Sequence, residues 1–137
     1  MIKTIKLTIT ELDFLAKFLA DMLLHGTDLR SRNRIIDLIT PKLKEYEQNR
    51  LEIVSKHSVE EDGKLKIENG NYVIKEGEME AFNQEIGEFF KEDILIDILP
   101  ANEKEFEIVK NLVLNSDKEM NYNEGKVYER VCEILNG

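Results

Sequence analysis

The dipeptide Asn69-Gly70, set between two short runs of alternating apolar residues, is the feature that most constrains how this chain folds. Both residues tolerate the positive φ that a two-residue type I′ turn requires. Such a turn predicts a β-hairpin over residues 64–75 whose apolar side chains share one face. The predicted cross-strand pairs are Ile67 with Tyr72 and Leu65 with Ile74.

The apolar face of this hairpin has two interpretations. An isolated two-stranded hairpin is only marginally stable in water, so the face is expected to pack over a helix. If residues 64–75 instead project from the body, the apolar side chains form an exposed ridge on which a partner can dock. Tyr72 is a core residue in the first case and a partner-binding residue in the second.

Two further short strands are predicted, one near each end of the chain. Ile5, Leu7 and Ile9 alternate with polar residues, which is typical of a half-buried strand. The segment 93–99 is apolar on both sides, which predicts a strand buried more completely than the first. The two strands are far apart in sequence and can pair with each other.

A long amphipathic helix is predicted from Pro41 to about His57, because apolar residues there recur three and four positions apart. It is expected to continue the line of a preceding helix that Asp28 caps. Thr40-Pro41 interrupts the pattern, since proline lacks a backbone donor. The helix therefore either kinks at Pro41 or stops and restarts there.

The first helix carries start and stop signals of its own. Thr10 with Asp13 three residues later resembles a capping box. Gly26 is the predicted end of this helix, with His25 in its last turn, where a charged imidazole suits the helix dipole.

Three helices are predicted after the hairpin. One covers residues 78–90, and the next begins at a capping box formed by Asn102 and Glu105. A polar loop over 115–125 then precedes a last helix that ends near Leu135.

Together these elements predict an α+β fold. The chain is expected to form a mostly helical single domain over residues 1–137, with one long helix, one hairpin and two further short strands. A chain of 137 residues buries roughly two-thirds of its unfolded surface, so this fold needs no disulfide or metal to stabilise it.

The sequence also bears on the compartment. Cys132 is the one cysteine, so no intramolecular disulfide forms, and its apolar helical surroundings predict a buried structural thiol. The N-terminal alternation does not resemble a signal peptide, and the longest apolar runs are too short to span a bilayer. We expect a soluble protein of a reducing cytoplasm, without membrane association.

No pattern of residues predicts catalysis. His25 and His57 have no ligand-type residue at helical spacing, so we expect capping or surface residues rather than metal ligands. The sequence contains no Gly-rich phosphate loop, nucleophile elbow or metal motif. We therefore expect no enzymatic activity, no catalytic residue, no metal and no cofactor.

The net charge of −9 is distributed unevenly along the chain. Residues 28–50 carry +2, whereas residues 58–93 carry −7. The acidic segment is either an ordinary solvated surface or a face that steers toward a basic partner. In the second interpretation Glu78, Glu85 and Glu88 are the candidate contact residues.

Three arginines stand close together at the start of the second helix. Arg30, Arg32 and Arg34 oppose the helix dipole there, which makes their position electrostatically unusual. They either converge on an external anion such as phosphate, or they pair with carboxylates of this acidic chain itself. The overall acidic balance argues against direct nucleic-acid binding.

Three short motifs resemble one family. They are Ser31-Arg32-Asn33-Arg34 at a helix start, Gly70-Asn71-Tyr72 in the hairpin and Phe82-Asn83-Gln84-Glu85 in the next helix. The combination resembles small uncharacterised proteins of phages and prophages of Gram-positive bacteria, over roughly Arg30 to Pro100. The resemblance implies a phage origin, and it provides no catalytic residues to transfer.

The leading hypothesis is a phage or prophage accessory protein that acts by binding a phage structural component or a host protein. Its long helix can bury a second stripe between subunits, so a homo-oligomer is also expected. The alternatives are an acidic inhibitor of a host nucleic-acid-handling or defence enzyme, and an anion contact through the three arginines. The expected location is the bacterial cytoplasm or the virion.

Overall fold

The computed structural model describes residues 2–137, which contain five α-helices and three antiparallel strand pairs. The helices are α1 (Ile9–Ala20), α2 (Gly26–His57), α3 (Met79–Phe90), α4 (Glu103–Leu114) and α5 (Tyr122–Asn136). The strands are β1 (Lys3–Leu7), β2 (Glu60–Glu61), β3 (Lys64–Leu65), β4 (Ile67–Glu68), β5 (Asn71–Tyr72) and β6 (Ile94–Ile98). The predicted α+β fold class, with a long helix, a hairpin and short strands, is confirmed.

The chain forms two compact units. Unit 1 comprises the described residues up to Leu43 together with Asp93–Gly137, and unit 2 comprises Lys44–Glu92. The helix α2 contributes its N-terminal part to unit 1 and its C-terminal part to unit 2. The single domain over residues 1–137 stays a prediction.

In unit 1, β1 and β6 pair in antiparallel register, with Ile5 opposite Ile96 and Lys6 opposite Leu95. One face of this pair is buried and the other is exposed. The prediction that β6 is the more buried strand was wrong, because both strands have the same burial pattern and Leu95 is 49% exposed. A two-stranded sheet covered by helices on one side leaves its other side in solvent.

The first helix begins two residues earlier than predicted. Thr8, not Thr10, caps α1: the Thr8 hydroxyl accepts from the Glu11 N–H at 3.4 Å, and the Glu11 carboxylate accepts from the Thr8 N–H at 2.9 Å. Ile9 is consequently the first residue of α1 rather than the last of β1. Asp13 pairs with Lys17 at 2.9 Å instead of capping.

The first helix also ends earlier than predicted, at Ala20. His25 therefore lies exposed in a loop and not in a last helical turn. Gly26, predicted to end α1, begins α2 with a φ of +62°. Asp28 lies within the first turn of α2 and is not its cap.

The helix α2 runs unbroken through Pro41 to His57. The predicted alternative in which the helix stops and restarts at Pro41 was therefore wrong. Proline removes one backbone hydrogen bond, and the Thr40 hydroxyl donates to the Ile36 carbonyl oxygen at 2.9 Å in the preceding turn. The predicted end at His57 is confirmed. None of the helices within residues 2–137 combines the length and apolarity needed to cross a membrane.

The core of unit 1 joins the inner face of the β1–β6 pair to α1, α2, α4 and α5. Its buried apolar side chains are Ile5, Leu7, Leu12, Leu15, Phe18, Leu19, Ile35, Ile39, Ile96, Ile98, Phe106, Val109, Val113, Val131 and Leu135. Cys132 is half-buried beside this cluster, less enclosed than predicted. The Tyr128 hydroxyl donates to the Val113 carbonyl oxygen at 2.6 Å and thereby joins α5 to α4.

The caps of the last two helices differ from the prediction. Asn102 precedes α4, but its side chain makes no capping hydrogen bond, and its φ of −111° and ψ of 2° lie outside the extended region that an N-cap normally adopts. The Glu105 carboxylate is engaged by Arg34 at 2.5 Å. Asn121 caps α5, and its side chain accepts from the Glu124 N–H at 2.9 Å. The polar loop is therefore shorter than the predicted 115–125.

In unit 2 the predicted turn and one of the two predicted pairs are confirmed. Asn69 and Gly70 have φ values of +52° and +80°, and Ile67 lies opposite Tyr72. The second predicted pair, Leu65 with Ile74, was wrong, because the segment around Val59 forms hydrogen bonds with both strands at this point. The Val59 N–H donates to the Val73 carbonyl oxygen at 2.8 Å, and the Lys66 N–H donates to that of Val59 at 2.8 Å.

Leu65 and Ile74, which were predicted to pair with each other, pair with other residues. Leu65 pairs with Glu60 between β3 and β2, and Ile74 forms an isolated bridge with Ser58. Residues 58–61, which follow α2, therefore pair with the strands of the hairpin. These pairings bring the end of α2 close to the hairpin within unit 2.

Candidate protein-binding site

Unit 2 has a very small core. Its buried side chains are Val54, His57 and Ser58, all at or just after the end of α2. The helix α3 has no buried residue, although Phe82, Ile86 and Phe89 lie along one side of it with helical spacing. An amphipathic helix normally buries its apolar stripe, so α3 is incompletely covered.

Four large side chains of unit 2 are exposed, and we call them the exposed apolar set. Met79 and Phe90, at the two ends of α3, are 53% and 52% exposed. On the hairpin, Ile67 and Tyr72 are 59% and 37% exposed, while their neighbours Leu65 and Ile74 are half-buried. Neither the packed nor the fully exposed interpretation therefore describes all four side chains. The one direct aromatic stack on α3 joins Phe89 to Tyr46, with ring centroids 4.6 Å apart.

His57 lies at the centre of a charged cluster that the sequence did not indicate. Its Nδ1 is 3.0 Å from Glu78 Oε1 and its Nε2 is 2.8 Å from Glu85 Oε1. Each ring nitrogen therefore has a carboxylate oxygen within hydrogen-bond distance. The prediction of a capping or surface residue was wrong, since His57 is buried and faces the edge of Phe82.

The cluster ties the end of α2 to α3. Lys56 Nζ lies 3.1 Å from the same Glu85 oxygen, so Lys56 and His57 converge on one carboxylate. Both residues lie in the last turn of α2, where the helix dipole favours the positive charge of Lys56. The hydrogen bond from His57, followed by that from Lys56, holds the pKa of Glu85 below its ordinary value.

The candidate acidic residues therefore have different roles. Glu78 and Glu85 are brought together around His57 and are internal partners. Glu88 is exposed and has no ion pair within residues 2–137. Only Glu88, among the three, is free to meet an external charge without breaking an internal contact.

The net charge of unit 2 is strongly negative. Residues 44–92 contain thirteen acidic and seven basic side chains, a net of −6 of the chain's −9. On the hairpin, Lys66 lies 3.4 Å from Glu61 and 3.2 Å from Glu68, which leaves the surrounding carboxylates in excess. The exposed apolar set thus stands in an acidic environment.

The three arginines of unit 1 contact three different groups. Arg30 donates to the Thr27 hydroxyl at 3.3 Å, and Arg34 pairs with Glu105. Arg32 donates to two carbonyl oxygens at the end of α1, those of Leu19 and Met22. Each arginine thus has its own partners within the chain, and for Arg34 the pairing with a carboxylate of the chain itself is observed.

Acid should destabilise the protein, because ionised Glu85 and Glu105 are stabilised in the folded state. The pKa of Glu105 is lowered by its own backbone N–H and then by Arg34. A carboxyl with a depressed folded pKa stabilises fully above its ordinary value of 4.5, and this stabilisation is lost as the pH falls through the folded pKa.

We therefore expect the urea midpoint to fall between about pH 6 and about pH 3, and Glu85→Gln to reduce that dependence. Glu88→Gln removes an exposed carboxylate without an ion pair and serves as the matched control. Equal pH profiles for the two variants would contradict the role of Glu85 in the His57 cluster.

Within residues 2–137 no group of three or more metal-ligating side chains is placed to hold a metal ion. No protein-family model, curated protein or solved structure matches this chain.

Proposed function

We propose that this protein acts by binding another protein through unit 2, without catalysis. The observation that carries the proposal is the amphipathic helix α3, which has no buried residue and exposes Met79 and Phe90 at its ends. Ile67 and Tyr72 add exposed apolar area on the hairpin of the same unit. Exposed apolar side chains along an uncovered amphipathic helix are typical of interaction surfaces.

The energetic reason is the incomplete core. Fully covering one large apolar side chain is worth about 1.5–3 kcal/mol, and unit 2 leaves four of them at least a third exposed. A partner that covers the exposed apolar set would supply the burial that unit 2 lacks by itself.

The charge of unit 2 indicates the chemistry of the partner. A net charge of −6 on unit 2 favours a partner surface with basic residues around an apolar centre. Such a partner is attracted before contact and forms ion pairs after it.

The same charge supports a second candidate function, an acidic inhibitor of a host nucleic-acid-handling or defence enzyme. Such enzymes present basic surfaces to their nucleic-acid substrates.

The resemblance to phage and prophage proteins supports an accessory role in a phage or prophage, with action in the host cytoplasm or on the virion. The partner is then a phage structural component or a host protein. We do not extend the proposal to direct nucleic-acid contact, because Arg32 and Arg34 are committed to internal hydrogen bonds.

The test begins with the full chain immobilised in a lysate of infected cells, and the captured protein is then purified and titrated by calorimetry. Met79→Ser with Phe90→Ser is expected to weaken binding at least tenfold, because two exposed apolar anchors are lost. Glu88→Lys should slow association and reduce its salt dependence without changing the fold.

The control is Leu95→Ser, which removes an equally exposed leucine from unit 1. Binding of the purified partner that is unchanged by the unit 2 variants, or lost equally in the control, would contradict the proposal. Glu85→Lys is unsuitable as a surface probe, since it also disrupts the His57 cluster.

A further inference from the structure

The outer edge of β6 has no neighbouring strand. The sheet of unit 1 contains two strands, so within residues 2–137 β1 and β6 each have one unpaired edge. No backbone hydrogen bond outside the β1–β6 ladder involves Ile94–Ile98 in the described part of the chain. The outward N–H and C=O groups of β6 are therefore available to a further strand.

The two edges differ in how well they are protected against pairing. β1 carries Lys3 and Lys6, and lysine on an edge strand hinders the approach of another strand. β6 consists of three isoleucines, Leu95 and Asp97, so it carries one charge. The Asp97 carboxylate accepts from the Thr4 hydroxyl at 2.6 Å, and Leu95 is 49% exposed. β6 is thus the edge that can accept another strand.

We propose that β6 pairs with β6 of a second copy of this chain, so that two sheets join into one four-stranded antiparallel sheet. Antiparallel pairing of a strand with its own copy has two-fold symmetry, which is the commonest symmetry of homodimers. Each copy supplies only five residues to the ladder, so we expect a weak, reversible dimer.

Burial and charge select one register for this pairing. Ile96 and Ile98 are buried, so buried positions must pair with buried positions. With Ile96 opposite its own copy, Leu95 lies opposite Asp97 of the second copy. A shift by two residues places the two Asp97 side chains opposite each other in one direction, and Asp97 opposite Asp93 in the other. Because like charges directly opposite are destabilising, the register centred on Ile96 is favoured.

In this register the outer face of the joined sheet is complementary in charge. Lys6 lies opposite Leu95 across β1 and β6, and Leu95 lies opposite Asp97 of the second copy. The lysine and the aspartate therefore flank the same leucine in one row across the sheet. The two-fold symmetry repeats this row, so each Asp97 has a lysine of the other copy in its row.

Sedimentation equilibrium of the purified full chain, from about 10 µM to about 1 mM in about 0.15 M salt, is expected to reveal a reversible dimer. Leu95→Asp and Leu95→Lys both remove the leucine, but they place opposite charges against Asp97 of the second copy. The dimer of Leu95→Asp should be at least about tenfold weaker than that of Leu95→Lys. The urea midpoints at about 10 µM should have the reverse order, because position 95 faces Lys6 within one chain.

Leu23, which is 99% exposed and lies outside β6, provides the matched control. Leu23→Asp and Leu23→Lys make the same changes of net charge, and their dimer dissociation constants should agree within about twofold. Amide hydrogen exchange locates the interface, since the outward amides of β6, and not those of β1, should gain protection as the dimer forms.

Three results would overturn the proposal. They are a monomer at about 1 mM, equal dimer dissociation constants for Leu95→Asp and Leu95→Lys, and a dimer without added protection in β6. All measurements use the purified chain alone, and β6 belongs to unit 1. Self-association therefore stands or fails independently of the partner binding proposed for unit 2.

Discussion

Replacing His57 by alanine is expected to destabilise unit 2 by about 2–4 kcal/mol. The substitution removes a buried imidazole together with its contacts to the carboxylates of Glu78 and Glu85, and it leaves a cavity at the end of α2. Hydrogen exchange of the α3 amides measures this effect directly, since α3 is the element that the cluster ties to α2.

The chain provides its own control for this prediction. His25, the second histidine, is exposed in the α1–α2 loop, so His25→Ala should change stability by less than about 0.5 kcal/mol. Similar effects of the two substitutions on α3 exchange would contradict the role assigned to His57. His57→Gln, which keeps one donor, should fall between wild type and alanine.

Leu7→Ala is expected to cost about 2–5 kcal/mol of global stability, because it opens a cavity in a fully buried position of β1. Leu95→Ala, on the outer face of β6, should cost less than about 1 kcal/mol, since its side chain is half in solvent. Urea denaturation followed by circular dichroism measures both. Comparable losses of stability in Leu7→Ala and Leu95→Ala would contradict the assignment of one buried and one exposed face to the β1–β6 pair.

The local elements were largely predictable from the sequence, and the reason is physical. Hairpin turn, strand alternation and helical stripes are set by residues within a few positions of each other. Even so, the start of α1 was ambiguous, because Thr8 and Thr10 are each followed three residues later by an acidic residue. The structure distinguishes the two, because the reciprocal hydrogen bonds of a capping box are made by Thr8 and Glu11.

The contacts between distant residues were not predictable. Glu78 and Glu85 stand 21 and 28 residues from His57, so no local spacing indicates that cluster. Glu105 had an apparent local partner in Asn102, but an arginine 71 residues away engages it. A charged side chain can pair with any group of opposite charge that the fold places nearby. Which groups are nearby is known only from the structure.

The same reasoning applies to the candidate binding site. For Tyr72 on the hairpin, the sequence left a packed and an exposed interpretation open. It did not indicate that Met79 and Phe90 are exposed, because both fit an ordinary amphipathic stripe of a buried helix. Their exposure follows from the small number of apolar residues that unit 2 places against α3.

The pairing of β1 with β6 has a consequence for the order in which the chain folds during synthesis. Lys3 meets Ile98, and Glu11 meets Arg130 across 119 residues, so unit 1 closes only after most of the chain has left the ribosome. Unit 2 is continuous in sequence and emerges complete before β6 does. Until then β1 remains an unpaired strand whose Ile5 and Leu7 are not yet buried, and unpaired strands of this kind favour aggregation of a nascent chain.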